Sequence, residues 1–139
     1  MNIGEASALS GLPAKTIRYY EEIGLVRPAL RAANGYRDYG ENDVRTLVFL
    51  QRARSLGFSV RECRDLLALY RDRHRASADV KAVALRRVGD IDRKIAELQA
   101  MRGALVDLAE RCHGDDRPEC PIIDDLAGGG AARDQRRHN

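Results

Sequence analysis

The chain has 139 residues, with 24 Lys and Arg against 21 Asp and Glu for a net charge of +3, no Trp and three cysteines. That length suits one domain, or one domain with an appended element, and no run of about 18 apolar residues is present to span a bilayer, which excludes a transmembrane protein. The start, Met1-Asn2-Ile3-Gly4-Glu5, lacks the basic stretch and apolar core of a secretory signal, so the cytoplasm is the expected location. Reduced Cys63, Cys112 and Cys120 are then available for packing, metal binding or redox sensing rather than for a disulfide scaffold.

The charge is unevenly spread. Residues 1–75 carry 13 basic and 9 acidic side chains, residues 76–112 carry 7 and 6, and residues 113–139 carry 4 and 6. The positive field belongs to the amino-terminal half, the direction of bias expected of a nucleic-acid partner.

Within Ile3 to Ile23 the apolar residues form two short amphipathic segments, Ile3/Ala6/Leu9 and Ala14/Ile17/Tyr20, separated by Ser10-Gly11-Leu12-Pro13. Gly suits a tight turn and Pro is tolerated in a first helical turn, so the pair predicts a helix-turn-helix. Pro28 and Asn34-Gly35 then break the helical pattern, and Asn-Gly signals a two-residue hairpin turn. Its flanks, Val26-Arg27 and Tyr36-Arg37-Asp38-Tyr39, are expected to form a small two-stranded wing.

Val44, Leu47, Val48 and Leu50 begin a third helix that stops near Gly57. Ser59 and Glu62 are spaced as a capping box for a fourth, whose apolar stripe is Val60/Cys63/Leu67/Tyr70. Cys63 on that stripe reads as a small core residue. After the polar link 71–75, Ser77 to Arg111 reads as one helix without proline. Ala84, Val88, Ile91, Ile95, Leu98 and Leu105 follow a coiled-coil seam that Arg102 interrupts and Met101 and Leu108 widen. At 1.5 Å per residue such a helix is roughly 50 Å long, more than a small domain covers, so its stripe calls for a second copy of the chain, parallel or antiparallel.

Lys15, Arg18 and Tyr19 share one face of the second helix, opposite Ile17. A short basic, aromatic-edged helix face fits a major groove, where Lys and Arg donate to guanine edges or phosphates and Tyr hydroxyls reach phosphate oxygens. Thr16 adds a phosphate or thymine-methyl contact, and Arg31, Tyr36 and Arg37 extend the surface along the wing. Tyr20 is counted with this DNA-reading set, a place in the core being its other reading. No paired carboxylates, activated nucleophile or Gly-rich phosphate loop stands at useful spacing, so no enzyme is expected.

The strings Ile17-Arg18-Tyr19-Tyr20-Glu21-Glu22-Ile23-Gly24-Leu25, Asn34-Gly35-Tyr36-Arg37-Asp38-Tyr39 and Leu56-Gly57-Phe58-Ser59 are similar to the MerR family of transcription regulators, over most of residues 1–126. The resemblance implies a mainly α fold: a winged helix-turn-helix DNA-binding domain with connecting helices over 1–75 and a dimerisation helix over 76–111. That helix would form an antiparallel coiled coil in a homodimer. A metal-binding loop and short helix would follow over 112–126, then a tail, 127–139, whose composition predicts disorder. It adds Arg54 as a DNA-backbone contact. It also implies a dyad-symmetric operator in promoter DNA, whose distortion lets RNA polymerase engage both promoter elements.

Cys112 and Cys120, eight positions apart with Gly114 and Pro118 between them, can meet in a compact loop. Two thiolates alone suit a soft monovalent ion, Cu(I) above all, whereas Zn(II) normally takes four ligands. Asp115, Asp116 and Glu119 read as solubilising charges or caps, and His113 as an exposed loop residue. The loop resembles that of the family's copper-efflux regulators, the CueR-type group, which implies one Cu(I), Ag(I) or Au(I) per two-cysteine site and control of copper-efflux or detoxification genes. Where mercury and zinc sensors of the family place a third cysteine, this chain has Ser77, which fits a two-thiolate site and also serves as a helix N-cap. His138 is given no metal role. A thiol redox-sensing regulator and a copper-binding carrier are the alternative readings.

Overall fold

The computed structural model describes residues 1–128 and falls into two compact units, Met1–Val88 and a second that begins at Gly89. The tail beyond residue 128, with His138, lies outside the described residues.

The first unit opens with helix α1 (Ile3–Ser10) and helix α2 (Ala14–Glu22). Asn2 caps α1: its side chain accepts from Glu5 N at 2.8 Å while Glu5 Oε1 accepts from Asn2 N at 3.2 Å, the reciprocal pair of a capping box. The turn to α2 is stitched by side chains, with Ser7 Oγ donating to the Leu12 carbonyl at 2.6 Å and Ser10 Oγ accepting from Leu12 N at 3.2 Å. Helix α3 (Glu41–Ser55) packs on α1 and on helix α4 (Val60–Arg71). The expected box at α4 is present, Ser59 Oγ accepting from Glu62 N at 3.1 Å and Glu62 Oε1 from Ser59 N at 2.9 Å. Ile17, Leu47, Leu50 and Cys63 are fully buried at the centre of a core that also takes Ala6, Tyr20, Leu67 and Val83. Burial pushes the Cys63 thiol up, as expected for an inert core cysteine.

The wing differs from expectation. Its strands are β1 (Leu30–Arg31) and β2 (Arg37–Asp38), antiparallel with Leu30 opposite Asp38 and Arg31 opposite Arg37. Val26 is instead buried in the core and Arg27 stands outside the strand. Nor is Asn34-Gly35 a two-residue turn: Ala32 N donates to the Tyr36 carbonyl at 2.8 Å, leaving residues 33–35 as the loop. The type I′ turn needs two residues at positive φ, and only Gly35, at 84°, supplies one. Asn34 acts through its side chain, accepting from Tyr36 N at 3.1 Å.

Arginines tie the ends of these elements together. Arg64 of α4 donates to the Ile23 and Gly24 carbonyls at 3.0 and 3.3 Å, covering the end of α2. Arg87, on the first turns of helix α5 (Ser77–Arg111), donates from Nε to the Leu56 carbonyl at 2.9 Å. It lies so close over Gly57, at φ 85°, that a Cβ there would collide with its guanidinium. Helix α5 takes Ser77 as its first residue rather than as the residue before it, and Asp79 N bonds to the Ala76 carbonyl at 3.0 Å, which moves the cap position to Ala76.

The second unit holds the remainder of α5, a loop and helix α6 (Pro121–Leu126). On α5 the apolar residues Val88, Ile91, Ile95, Leu98, Met101 and Leu105 are all exposed, while Leu108 near its end is buried. Among the described residues, no helix is long and apolar enough to cross a membrane.

Leu50→Ala is expected to cost about 3 kcal/mol of stability by leaving a cavity, and Ser59→Ala about 1 kcal/mol by uncapping α4. Urea unfolding followed by circular dichroism, at fixed protein concentration, separates the two.

Candidate DNA-binding face and thiol loop

Helix α2 is divided lengthwise. Ile17, Tyr20 and Glu21 are buried, whereas Lys15, Arg18 and Tyr19 are exposed and Thr16 half-buried between them. The structure therefore brings Lys15, Thr16, Arg18 and Tyr19 to one open face. It removes Tyr20 from the DNA-reading set: at 4% exposure its ring is core, three residues on from Ile17 on the inner side of the helix, with the Tyr19 ring tilted against it.

On the wing, Tyr36 is exposed and Arg31 donates from Nη1 to the Gly35 carbonyl at 2.7 Å, which braces the loop. Arg54, at the end of α3, donates from Nη1 to the Phe58 carbonyl at 2.6 Å, so its guanidinium is anchored at the α3–α4 turn while the side chain remains exposed. Arg37 is half-buried, with Nε 2.9 Å from Glu21 Oε2. The neighbouring Glu21 Oε1 accepts from Tyr39 Oη at 2.6 Å. Burial pushes the Tyr39 phenol up, and the hydrogen bond to Glu21 and its charge push the same way, so Tyr39 stays a protonated donor.

Glu21 and Tyr39 were not singled out from the sequence. The available signal was strand alternation: Arg37 and Tyr39 are two apart, so both side chains leave the wing on one face and meet a single partner.

The thiol loop runs from the end of α5 to α6. Cys112 N bonds to the Ala109 carbonyl at 3.2 Å as α5 closes, and the Cys120 carbonyl accepts from Asp124 N at 3.0 Å as α6 opens with Pro121 in its first turn. The two helix ends deliver Cys112 and Cys120 to each other, with sulfurs 3.3 Å apart, both half-buried and both free thiols. Hydrogen bonding from the Ile123 N–H and from the Cys112 thiol holds the Cys120 thiol below its ordinary range, which favours thiolate.

Asp115 is folded onto Arg117, accepting from its Nε at 3.0 Å and its backbone N at 2.9 Å, and these bonds hold its carboxyl low. His113 is exposed. Among the described residues no group of three or more His, Cys, Asp and Glu side chains is arranged to hold a metal ion, so the two sulfurs are the candidate donors in this loop. Two soft donors without oxygen or nitrogen partners fit a monovalent soft cation and do not complete a zinc site. Ser77 is exposed at the start of α5 in the first unit.

Comparison with known proteins agrees with this architecture. Residues 1–69 match the family model described as MerR HTH family regulatory protein, and residues 44–108 match MerR, DNA binding. Heavy metal-dependent transcription regulator 2 of Rhizobium meliloti is 61% identical over 94% of this chain and 89% of its own length. The transcriptional regulator CueR of Salmonella typhimurium is 50% identical over 92% of this chain and 93% of its own. The crystal structure of PbrR691 from Ralstonia metallidurans in complex with lead(II) superposes with a TM-score of 0.77 at 29% identity, covering 91% of this chain and 98% of that one. With a helix-turn-helix, a small hairpin, a 35-residue helix and these relatives, the chain belongs to the MerR family of DNA-binding transcription regulators, and it is not an enzyme.

Proposed function

We propose that this regulator is heavy-metal-responsive and senses a soft monovalent ion, Cu(I) with Ag(I) and Au(I) as congeners, through Cys112 and Cys120. The observation that carries the reading is the 3.3 Å approach of two sulfurs with no third donor grouped beside them among the described residues. The heavy-metal relative of Rhizobium meliloti and the CueR relative support it at 61% and 50% identity. Ser77 supports it too, because a hydroxyl is a hard donor that adds little for a soft ion.

The proposed acting unit is a homodimer. Val88, Ile91, Ile95, Leu98, Met101 and Leu105 leave α5 with an apolar stripe exposed, and an antiparallel partner helix would bury it. Each copy would then set its α2 in a major groove of a two-fold operator in promoter DNA. There Lys15, Thr16, Arg18 and Tyr19 meet bases and phosphates, Arg31, Tyr36 and Arg37 follow the flanking backbone, and Arg54 adds a backbone contact.

Within the loop, Cys112 and Cys120 would hold the ion, which when bound supplies a clip between the end of α5 and the start of α6. The chain already occupies its operator, so the response rests on which shape of protein and DNA is favoured rather than on affinity. DNA deformed in this way would let RNA polymerase reach both promoter elements of a copper-efflux or detoxification gene.

Two measurements test the site. In the folded chain, a colorimetric thiol reagent is expected to modify Cys112 and Cys120 promptly and Cys63 only after unfolding, with one equivalent of Ag(I) protecting the first two. Cys112→Ser or Cys120→Ser is expected to abolish metal-dependent transcription in a run-off assay with Cu(I), Ag(I), Zn(II) and Hg(II), leaving DNA binding nearly intact. Joint loss of both would make the loop structural, and full activation by a thiol oxidant without metal would favour a redox switch. Ser77→Cys is expected to extend the response to divalent ions, read in the same assay.

A further inference from the structure

We propose that Glu21 is a positioning residue of the DNA-binding face, a buried carboxylate on α2 that fixes the guanidinium of Arg37 on the wing for a phosphate contact. The inference rests on the reading of Arg37 as a DNA-backbone contact.

Glu21 is among the two buried polar or charged residues of the described chain, with 6% of its surface exposed, on the helix whose other side carries Lys15, Arg18 and Tyr19. A carboxylate so placed is costly unless it is charge-paired and hydrogen-bonded. Oε1 is satisfied by Tyr39 Oη at 2.6 Å. Oε2 has no hydrogen-bond donor: Arg37 Nε lies 2.9 Å away, off the line of a hydrogen bond, so the contact is charge on charge. Glu21 is thus held by one well-made bond to a residue following β2 and one purely electrostatic contact to a residue within it.

The same contact constrains Arg37. Its Nε faces a carboxylate whose side chain is 2% exposed, while the Arg37 side chain as a whole retains 34% exposure, so it is gripped at one nitrogen and still partly open to solvent. A guanidinium on a flexible stem loses rotamer freedom when it meets a phosphate; one already held against a carboxylate has lost it beforehand. Arg18 of α2 also lies close enough for its charge to act on Tyr39. The buried pair therefore ties Arg37 on the wing to the helix that carries Arg18. Glutamine at position 21 has the size of glutamate, but its neutral amide removes the charge and offers N–H to one of two donors.

The test is a double-mutant cycle on a duplex selected by the wild-type chain from a randomised library, titrated by fluorescence anisotropy over a series of KCl concentrations. Arg37→Ala and Glu21→Gln are each expected to weaken binding about tenfold and to lower the salt slope alike, by about 0.9 per lost phosphate contact. The double variant is expected to bind within about twofold of either single, because residues acting as a unit are not additive. A further tenfold loss in the double variant, or an unchanged salt slope in Glu21→Gln, overturns the positioning role while leaving Arg37 as a contact. Wild-type binding by Arg37→Ala overturns the contact assignment and the positioning role with it. Should Glu21→Gln fail to fold, Tyr39→Phe takes its place in the cycle, where the same non-additivity supports the role and full additivity overturns it.

Discussion

A helix of nine residues does not hold its shape in water, because nucleation is unfavourable and few bonds follow to offset it. Everything that α2 presents outward therefore depends on what it buries. Ile17 and Tyr20 anchor it to the core, Arg64 closes its end through the Ile23 and Gly24 carbonyls, and Glu21 joins it to the wing. The outward residues Lys15, Arg18 and Tyr19 gain a fixed orientation from these contacts without taking part in them. The division is economical of sequence, since alternate sides of two and a half turns serve packing and leave an open basic face at once.

That division explains which parts of the chain were legible in the sequence. Helices with long apolar stripes and side-chain caps were, because both signals are local: the Ser59–Glu62 box and the span of α5 stand where spacing put them. Cys63 was legible for the same reason, lying on the stripe that Leu67 continues. The wing was less so. A two-residue strand has no periodicity to read, and β1 begins at Leu30 because Val26 is drawn into the core. Tyr19 and Tyr20 are adjacent and chemically alike, and only the angle between them on the helix sends one out and the other in. Glu21 was invisible as a buried group because its partners, Arg37 and Tyr39, lie across a turn and a loop.

The thiol loop shows the converse: its two cysteines are plain in the sequence, but the geometry that brings them together is not. Eight residues separate Cys112 from Cys120, and what brings them to 3.3 Å is the end of one helix and the start of another, each contributing backbone bonds at its cysteine. Asp115, which shares the loop, is occupied by Arg117 and so is no competitor as a ligand. Among the described residues hard donors are either engaged elsewhere or not grouped with the sulfurs, so the softness of the two thiols is what would select an ion.

Charge then constrains how such a site could act on DNA. Two thiolates holding a monovalent cation carry one net negative charge, in a segment, residues 113–139, that already has 6 acidic against 4 basic side chains. With Cys120 leaning towards thiolate before an ion arrives, loading the pair adds at most one negative charge. Adding negative charge to a chain bound to a polyanion opposes tighter binding at any distance that screening permits, about 10 Å at ordinary salt. Charge alone therefore gives the proposed site no means of raising affinity. A change of shape is the output that the proposed site could supply, because clipping Cys112 to Cys120 would fix the angle between the end of α5 and the start of α6, and that angle is independent of the sign of the charge.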